Sequence, residues 1–178
     1  MAVERRRRTV YQIAFAVMIV AIVIPALLRT GQSGSSPSVE ILGVDGTLVT
    51  VSLQQMKRLP ALTREGMYQN QFENWRDEGT YTGVLVSDLL SGQRYGSVVA
   101  IASDGYEVSL SRARIEDPEY PVVLAYAFDG IEVPAWEDGF RIAVLPEDGS
   151  VSNLEYDATS AGSFWIKNVA QLRVDPSE

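Results

Sequence analysis

Ser97-Val-Val-Ala-Ile-Ala-Ser-Asp-Gly-Tyr-Glu-Val-Ser-Leu110 holds two apolar or alternating runs, 97–103 and 106–110, joined at Asp104-Gly105. Two β-rich runs around an Asp-Gly pair predict a hairpin, because glycine adopts the positive φ that such a turn needs. The pattern recurs on both sides. Runs 39–42 and 47–51 flank Gly43-Val-Asp-Gly46, and runs 122–128 and 131–133 flank Asp129-Gly130. Further strands are predicted over 140–145 and 168–174, where Val169, Gln171 and Arg173 alternate with Ala170, Leu172 and Val174. Short helices fill some of the gaps. Ser52 is placed to cap 53–59, which Pro60 stops; Ser87 to cap 88–90; and Ser111 to cap 112–116. After residue 38 no segment has a long amphipathic helical period. The expected class is therefore α+β, with mixed β-sheets and short helices.

Composition narrows the chemistry. The chain has 178 residues, 46% hydrophobic and 21% charged, which suits one domain of about 100–150 residues plus an appendage. It contains no cysteine and no histidine. Disulfides, thiol nucleophiles, zinc fingers and every triad or metal site that needs imidazole are excluded. The net charge of −8 argues against nucleic acid as a partner, since binding phosphates needs a basic surface. Charge is divided unevenly. Residues 1–30 hold five arginines against Glu4, whereas residues 31–178 hold 22 acids against 10 bases. Opposite signs point to two environments.

Residues 9–28 form a 20-residue run without a charge. As a helix it would span roughly 30 Å, the thickness of a bilayer's hydrocarbon core. Arg5, Arg6, Arg7 and Arg8 precede it, so 1–8 is expected to stay cytoplasmic, with the rest of the chain outside the cytoplasm. The alternative is a cleavable signal peptide, whose apolar core usually runs about 7–15 residues and ends in small residues. The longer run here, ending Leu27-Leu28-Arg29-Thr30, favours an uncleaved anchor. A twin-arginine export signal at Arg7-Arg8 has little specificity inside a run of four arginines. Residues 29–38, rich in glycine and serine, form a linker with nothing apolar to bury, so the outer domain is assigned to 39–178.

Within that domain, 63–83 is unusual. Tyr68, Phe72, Trp75 and Tyr81 stand among Arg64, Asn70, Asn74 and Arg76. Aromatic walls with convergent amides and guanidinium groups suit a planar, polar or anionic ligand. The plainer expectation, and the favoured one, is a long loop whose aromatics cover the edge of the core. Acidic pairs such as Asp77/Glu78 and Glu137/Asp138 are expected to be solvated surface charge, because none has calcium-loop spacing. Ser160-Ala-Gly-Ser163 has no histidine partner, and Lys167 follows Phe164-Trp165-Ile166 as a lysine snorkelling from a strand end would.

Several fragments, taken in order, resemble the molybdopterin-binding domain of the sulfite oxidase family. They are Met56-Lys-Arg-Leu-Pro60, Tyr81-Thr-Gly-Val-Leu-Val-Ser-Asp-Leu-Leu90, Ser103-Asp-Gly-Tyr106, Val123-Leu-Ala-Tyr126, Asp129-Gly-Ile-Glu-Val-Pro134, Phe140-Arg-Ile-Ala-Val-Leu-Pro146 and Trp165-Ile-Lys-Asn-Val169. The resemblance implies that family's fold, a pterin carrying molybdenum, and a redox reaction on a small oxygen-bearing substrate. It implies a cysteine ligand in a Cys-x-x-Asn-like segment, whose equivalent here is 72–76. Asn74 and Arg76 match its polar part, and Phe72 stands about where the ligand would be. It further implies that Arg141, Lys167 and the Asp104-Gly105-Tyr106 turn line the cofactor side; a binding module in the same cleft would place its pocket between Arg64–Arg76 and Arg141/Lys167. Soft thiolate ligation is what such a site uses, and this chain offers none. The expected function is thus a membrane-anchored, non-catalytic module for a small anionic ligand or a partner membrane-protein subunit. The alternative is a molybdopterin-dependent oxidoreductase subunit that holds its cofactor without cysteine, and a third, structural possibility is an acidic spacer.

Overall fold

A computed structural model describes residues 36–177. The expected anchor over 9–28, the basic segment 1–8 and the linker up to residue 35 lie outside the described residues. Among those described, no helix is long and apolar enough to cross a membrane.

Eleven strands run in chain order: β1 (Ser38–Leu42), β2 (Leu48–Ser52), β3 (Ala61–Gln69), β4 (Trp75–Leu85), β5 (Ser97–Ala102), β6 (Glu107–Ser111), β7 (Val122–Phe128), β8 (Ile131–Glu132), β9 (Arg141–Val144), β10 (Ser150–Val151) and β11 (Val169–Asp175). They form two mixed sheets. One has the order β2-β1-β11-β5-β6, in which β1 and β11 pair in parallel, Ile41 opposite Leu172. The other has the order β10-β3-β4-β7-β8, with β9 also pairing with β7. Helices are single turns: α1 (Leu53–Met56), α2 (Val86–Leu89), α3 (Arg112–Ile115), and a 3-10 turn at Ala161–Phe164. Mixed sheets with few, short helices are the class expected from the sequence.

The strand patterns explain the layers. β1 alternates, burying Val39 and Ile41, and β6 does likewise with Val108 and Leu110. One face of that sheet therefore meets the core while the other is wet. β7 is buried from Val122 to Ala127 and all of β9 is buried, so both faces of this part of the second sheet are covered. Three predicted hairpins are present, turning at Gly46, Gly105 and Gly130, each with φ between 78° and 87°.

Two local expectations are corrected. Residues 63–83 are no loop but most of the long hairpin β3–β4, with only 70–74 as its turn. Its polar residues hid the period of two: Thr63 and Glu65 face solvent, and pairing of β4 with the buried β7 holds the register. Ser87 caps nothing, because α2 already begins at Val86 and Leu85 in the cap position makes no side-chain bond. Ser52 does cap α1, in a reciprocal box with Gln55, and Ser111 accepts from Arg114 N at the start of α3.

Candidate functional site

The pairing of β3 with β4 contains an irregularity that builds the site. Gly66 opposes Gly79 and Tyr68 opposes Arg76, so Met67 alone stands across from Asp77 and Glu78. Such a bulge bends the strand and re-aims a side chain. Asp77 sits in it with φ of 54°, a conformation that non-glycine residues rarely adopt. The Tyr81 hydroxyl donates to the Asp77 carbonyl at 2.7 Å and fixes the bulge.

On the other side, 166–169 runs along 138–142. Ile142 N donates to the Ile166 carbonyl, Asn168 N to that of Asp138 and Val169 N to that of Phe140, at 2.7–3.0 Å. This places Lys167 beside Asp138 and beside Arg141, the first residue of β9. Arg141 has 1% exposure and is the only charged side chain in the buried core among the described residues.

Four charges meet there. The Arg141 guanidinium pairs with Asp77 through Nη2 and with Asp138 through Nη1, the latter at 3.1 Å. Lys167 Nζ lies 2.9 Å from Asp138 Oδ2 and 3.4 Å from Asp77 Oδ2. Two cations and two carboxylates sum to zero. The Tyr68 hydroxyl donates to Asp77 at 3.3 Å. Rings of Trp165, Tyr81 and Tyr68 surround the guanidinium carbon at 5.5, 5.7 and 5.9 Å from their centroids. Gly66 makes room for this stack: a Cβ there would meet Leu145, Trp165 and Tyr81 at 2.6, 2.9 and 3.1 Å. Two buried donors, Arg141 Nε and Trp165 Nε1, have no hydrogen-bond partner among the described residues.

Burial raises the Asp77 carboxyl, but the hydrogen bond and charge of Arg141, and then Lys167, outweigh it and hold the group below the usual aspartate value. Tyr68 is pushed up by burial and then by Asp77, and Tyr81 is pushed up chiefly by burial. None of these three is poised to exchange a proton near neutral pH. Because the folded Asp77 binds its proton more weakly than the unfolded chain does, its contribution to stability is complete above the ordinary aspartate range. It is lost as the pH falls below about 4 toward the folded value. The urea midpoint of the parent is therefore expected to drop in that window, and Asp77→Asn should flatten this acid limb while being less stable at neutral pH. An unchanged acid slope in Asp77→Asn would show that the carboxylate is not held this way.

Of the candidate residues from the sequence, the structure brings Arg141 and Lys167 together. Arg64 shares their face, opposite Tyr81, but its Nη1 donates to the Leu145 carbonyl at 2.9 Å. Asn74 is exposed in the β3–β4 turn, bonded to Asn70, and Arg76 is exposed on β4. Asp104 accepts from Tyr106 N at 3.0 Å in a turn where Tyr106 is 55% exposed. Among the described residues, no hydrogen bond or ion pair joins these five to the four-charge cluster. The residues that sequence reasoning missed are Asp77 and Asp138, read as solvated surface acids. One fills a bulge and the other lies three residues before Arg141, and neither feature carries a motif.

No family model matches the chain, and no curated protein matches it. The two sheets do resemble a known class, a distant sulfite-oxidase-like fold of the kind found in molybdopterin oxidoreductase domains. Among solved structures, the sulfane dehydrogenase SoxCD from Paracoccus pantotrophus is similar, with a TM-score of 0.57 at 16% identity over 79% of this chain. The match covers 38% of that protein's chain, and at this identity the likeness concerns the fold alone.

The donor set does not fit a molybdenum centre held by the protein. The 178 residues include no thiolate and no imidazole, and among the described residues no three carboxylates gather to hold an ion. Arg141 and Lys167 are already neutralised by Asp77 and Asp138.

Proposed function

We propose that the chain is a non-catalytic recognition module, anchored at the outer face of a membrane by its amino-terminal segment, which uses a molybdopterin-domain fold to engage a partner subunit. One observation carries this reading: Arg141, the buried cation of the site, is closed by two carboxylates of its own chain. A receptor for an anionic cofactor or substrate needs uncompensated positive charge. The four-charge cluster acts instead as a fixed post that ties β4, β9 and the 165–169 segment together. Recognition then falls to the surface, where the β3–β4 turn presents Phe72 (73% exposed) and Trp75 (44%). Asn153 Nδ2 donates to the Asn70 carbonyl at 2.8 Å and brings Leu154, 91% exposed, beside that turn. Exposed aromatics clustered with an aliphatic residue are typical of protein interfaces.

A second reading has one observation in its favour. Arg141 Nε and Trp165 Nε1 are buried without partners among the described residues, and an acceptor-rich group such as a pterin would satisfy them. On that reading the chain is a molybdopterin-dependent oxidoreductase subunit with no cysteine ligand. Elemental analysis and pterin fluorescence separate the two, on full-length protein made in a host that synthesises the cofactor. Molybdenum far below one atom per chain, with no pterin released on denaturation, is the expected result. Stoichiometric metal and pterin would end the non-catalytic reading.

A further inference from the structure

The sheet that contains β1 ends in an open strand. β2 stands last in the order β2-β1-β11-β5-β6, so one of its edges has no partner strand among the described residues. The turn decides which groups lie on that edge. Gly43 N donates to the Thr47 carbonyl at 2.8 Å, and hydrogen-bonded and non-bonded pairs alternate from there along an antiparallel ladder. Val49, opposite Ile41, and Val51, opposite Val39, therefore turn their amides and carbonyls toward β1. Leu48 and Thr50 turn theirs outward. The next outward amide, that of Ser52, already donates to Gln55 Oε1 at 2.8 Å in the cap of α1. The side chains along this edge are apolar, with Leu48 52% and Val49 50% exposed. Val49 shares a face with the buried Ile41, so the core face of the sheet continues uncovered to its rim. A groove of about 360 Å³ lies there, lined by Val44, Val49, Gln93 and Arg94 among others.

Open edges are ordinarily protected by a lysine, a proline or a bulge. β2 has none of these: it reads Leu-Val-Thr-Val-Ser and pairs with β1 without a register shift. The strand at the opposite end of the sheet, β6, carries Glu107. Charge and register together point to the occupant. Residues 31–178 hold 22 acids against 10 bases, so two copies of this chain repel each other over most of their surface, whereas β2 is neutral. We infer that β2 is the seat of a twofold dimer, pairing antiparallel with β2 of a second copy, Val49 opposite Val49. In that register Leu48 faces Thr50 of the second copy, and Thr50 faces its Leu48, so every outward amide and carbonyl of the two residues is paired. A register centred on Thr50 would instead call on the Ser52 amide, which is taken. The acid of β1, Glu40, stands opposite Thr50. Across the axis the two Glu40 side chains are three strand spacings apart, about 14 Å, which exceeds the screening length of about 8 Å at physiological salt. The β3–β4 turn of the partner-subunit reading belongs to the other sheet, so the two surfaces stand or fall independently.

Because the chain has no cysteine, Val49→Cys introduces a single thiol. Cα atoms of a non-hydrogen-bonded antiparallel pair are about 4.5 Å apart, within reach of a disulfide. Full-length Val49→Cys, purified in mild detergent and gently oxidised, should become a covalent dimer about tenfold or more faster than Thr50→Cys or Ile131→Cys. Two residues at position 50 would sit out of register at about 8 Å, too far to bridge. Ile131 is as exposed as Val49 but lies on β8 in the other sheet. Sedimentation equilibrium of the parent should show a reversible monomer–dimer equilibrium. Thr50→Pro should weaken it by about tenfold or more, since it removes an outward donor and no bond to β1. Far-UV circular dichroism checks that Thr50→Pro is folded, and if it is not, the cysteine series decides alone. A monomeric parent would overturn the inference and leave the edge to a strand of a different protein. Equal cross-linking in the three cysteine variants, or a dimer undiminished in folded Thr50→Pro, would overturn it by placing the association elsewhere in the chain.

Discussion

Arg141→Met is expected to destabilise the folded chain by about 3–5 kcal/mol, because it removes one partner of a buried ion pair and leaves the other behind. Asp77 would keep only the partly exposed Lys167 at 3.4 Å and the Tyr68 hydroxyl at 3.3 Å, while still held in its bulge. The three rings around the guanidinium would also lose their cation. Arg141→Lys should restore little, since a single ammonium cannot reach two carboxylates with the paired geometry of a guanidinium. The triple variant Asp77→Asn/Asp138→Asn/Arg141→Met removes the charges together and should recover a substantial part of the loss. Urea unfolding followed by tryptophan fluorescence measures all three. If Arg141→Met stayed within about 1 kcal/mol of the parent, the cluster would not be a structural post. Its cation would then be open to an outside anion, and the non-catalytic reading would lose its main support.

Why the site was only half legible follows from where its members sit. Arg141 and Lys167 lie in fragments with a recognisable order, Phe140-Arg-Ile-Ala-Val-Leu-Pro146 and Trp165-Ile-Lys-Asn-Val169, so they could be singled out. Asp77 lies in a polar stretch, and its position depends on a one-residue bulge that no local pattern announces. Asp138 looks like any acid next to another acid, and only the return of 166–169 beside it shows what it holds. The hairpins at Asp45-Gly46, Asp104-Gly105 and Asp129-Gly130 could be read in advance because turn chemistry is local. The β3–β4 hairpin could not, because its register is held by β7, some 40 residues away in the chain. Local signals thus specified the edges of the sheets, and long-range pairing specified the strand that carries the site.

Gly83→Ala is the other large effect, and it tests that long-range dependence directly. A Cβ at residue 83 would lie 2.5 Å from the Leu124 carbonyl oxygen and 2.6 and 2.8 Å from Cα and N of Ala125. These are backbone atoms of β7, buried on both faces and paired on its far side with β9, so they have nowhere to move. Overpacking against a rigid backbone costs about 3 kcal/mol or more, near the top of the usual range. The strain would not stay local. β4 carries Asp77, and Arg141 heads β9 on the opposite edge of β7, so prying β4 from β7 separates the two halves of the ion-pair cluster. Gly92→Ala is the matched control. There φ is +85° with nothing within 4 Å of the new Cβ, so the cost is backbone strain of about 1 kcal/mol. Near-UV circular dichroism should show Gly83→Ala losing the fixed environment of Tyr81 and Trp165, while Gly92→Ala keeps it. Equal stabilities for the two variants would mean that β4 can leave β7 at little cost, and the bulge at Asp77 would then be too loosely held to position a carboxylate on Arg141.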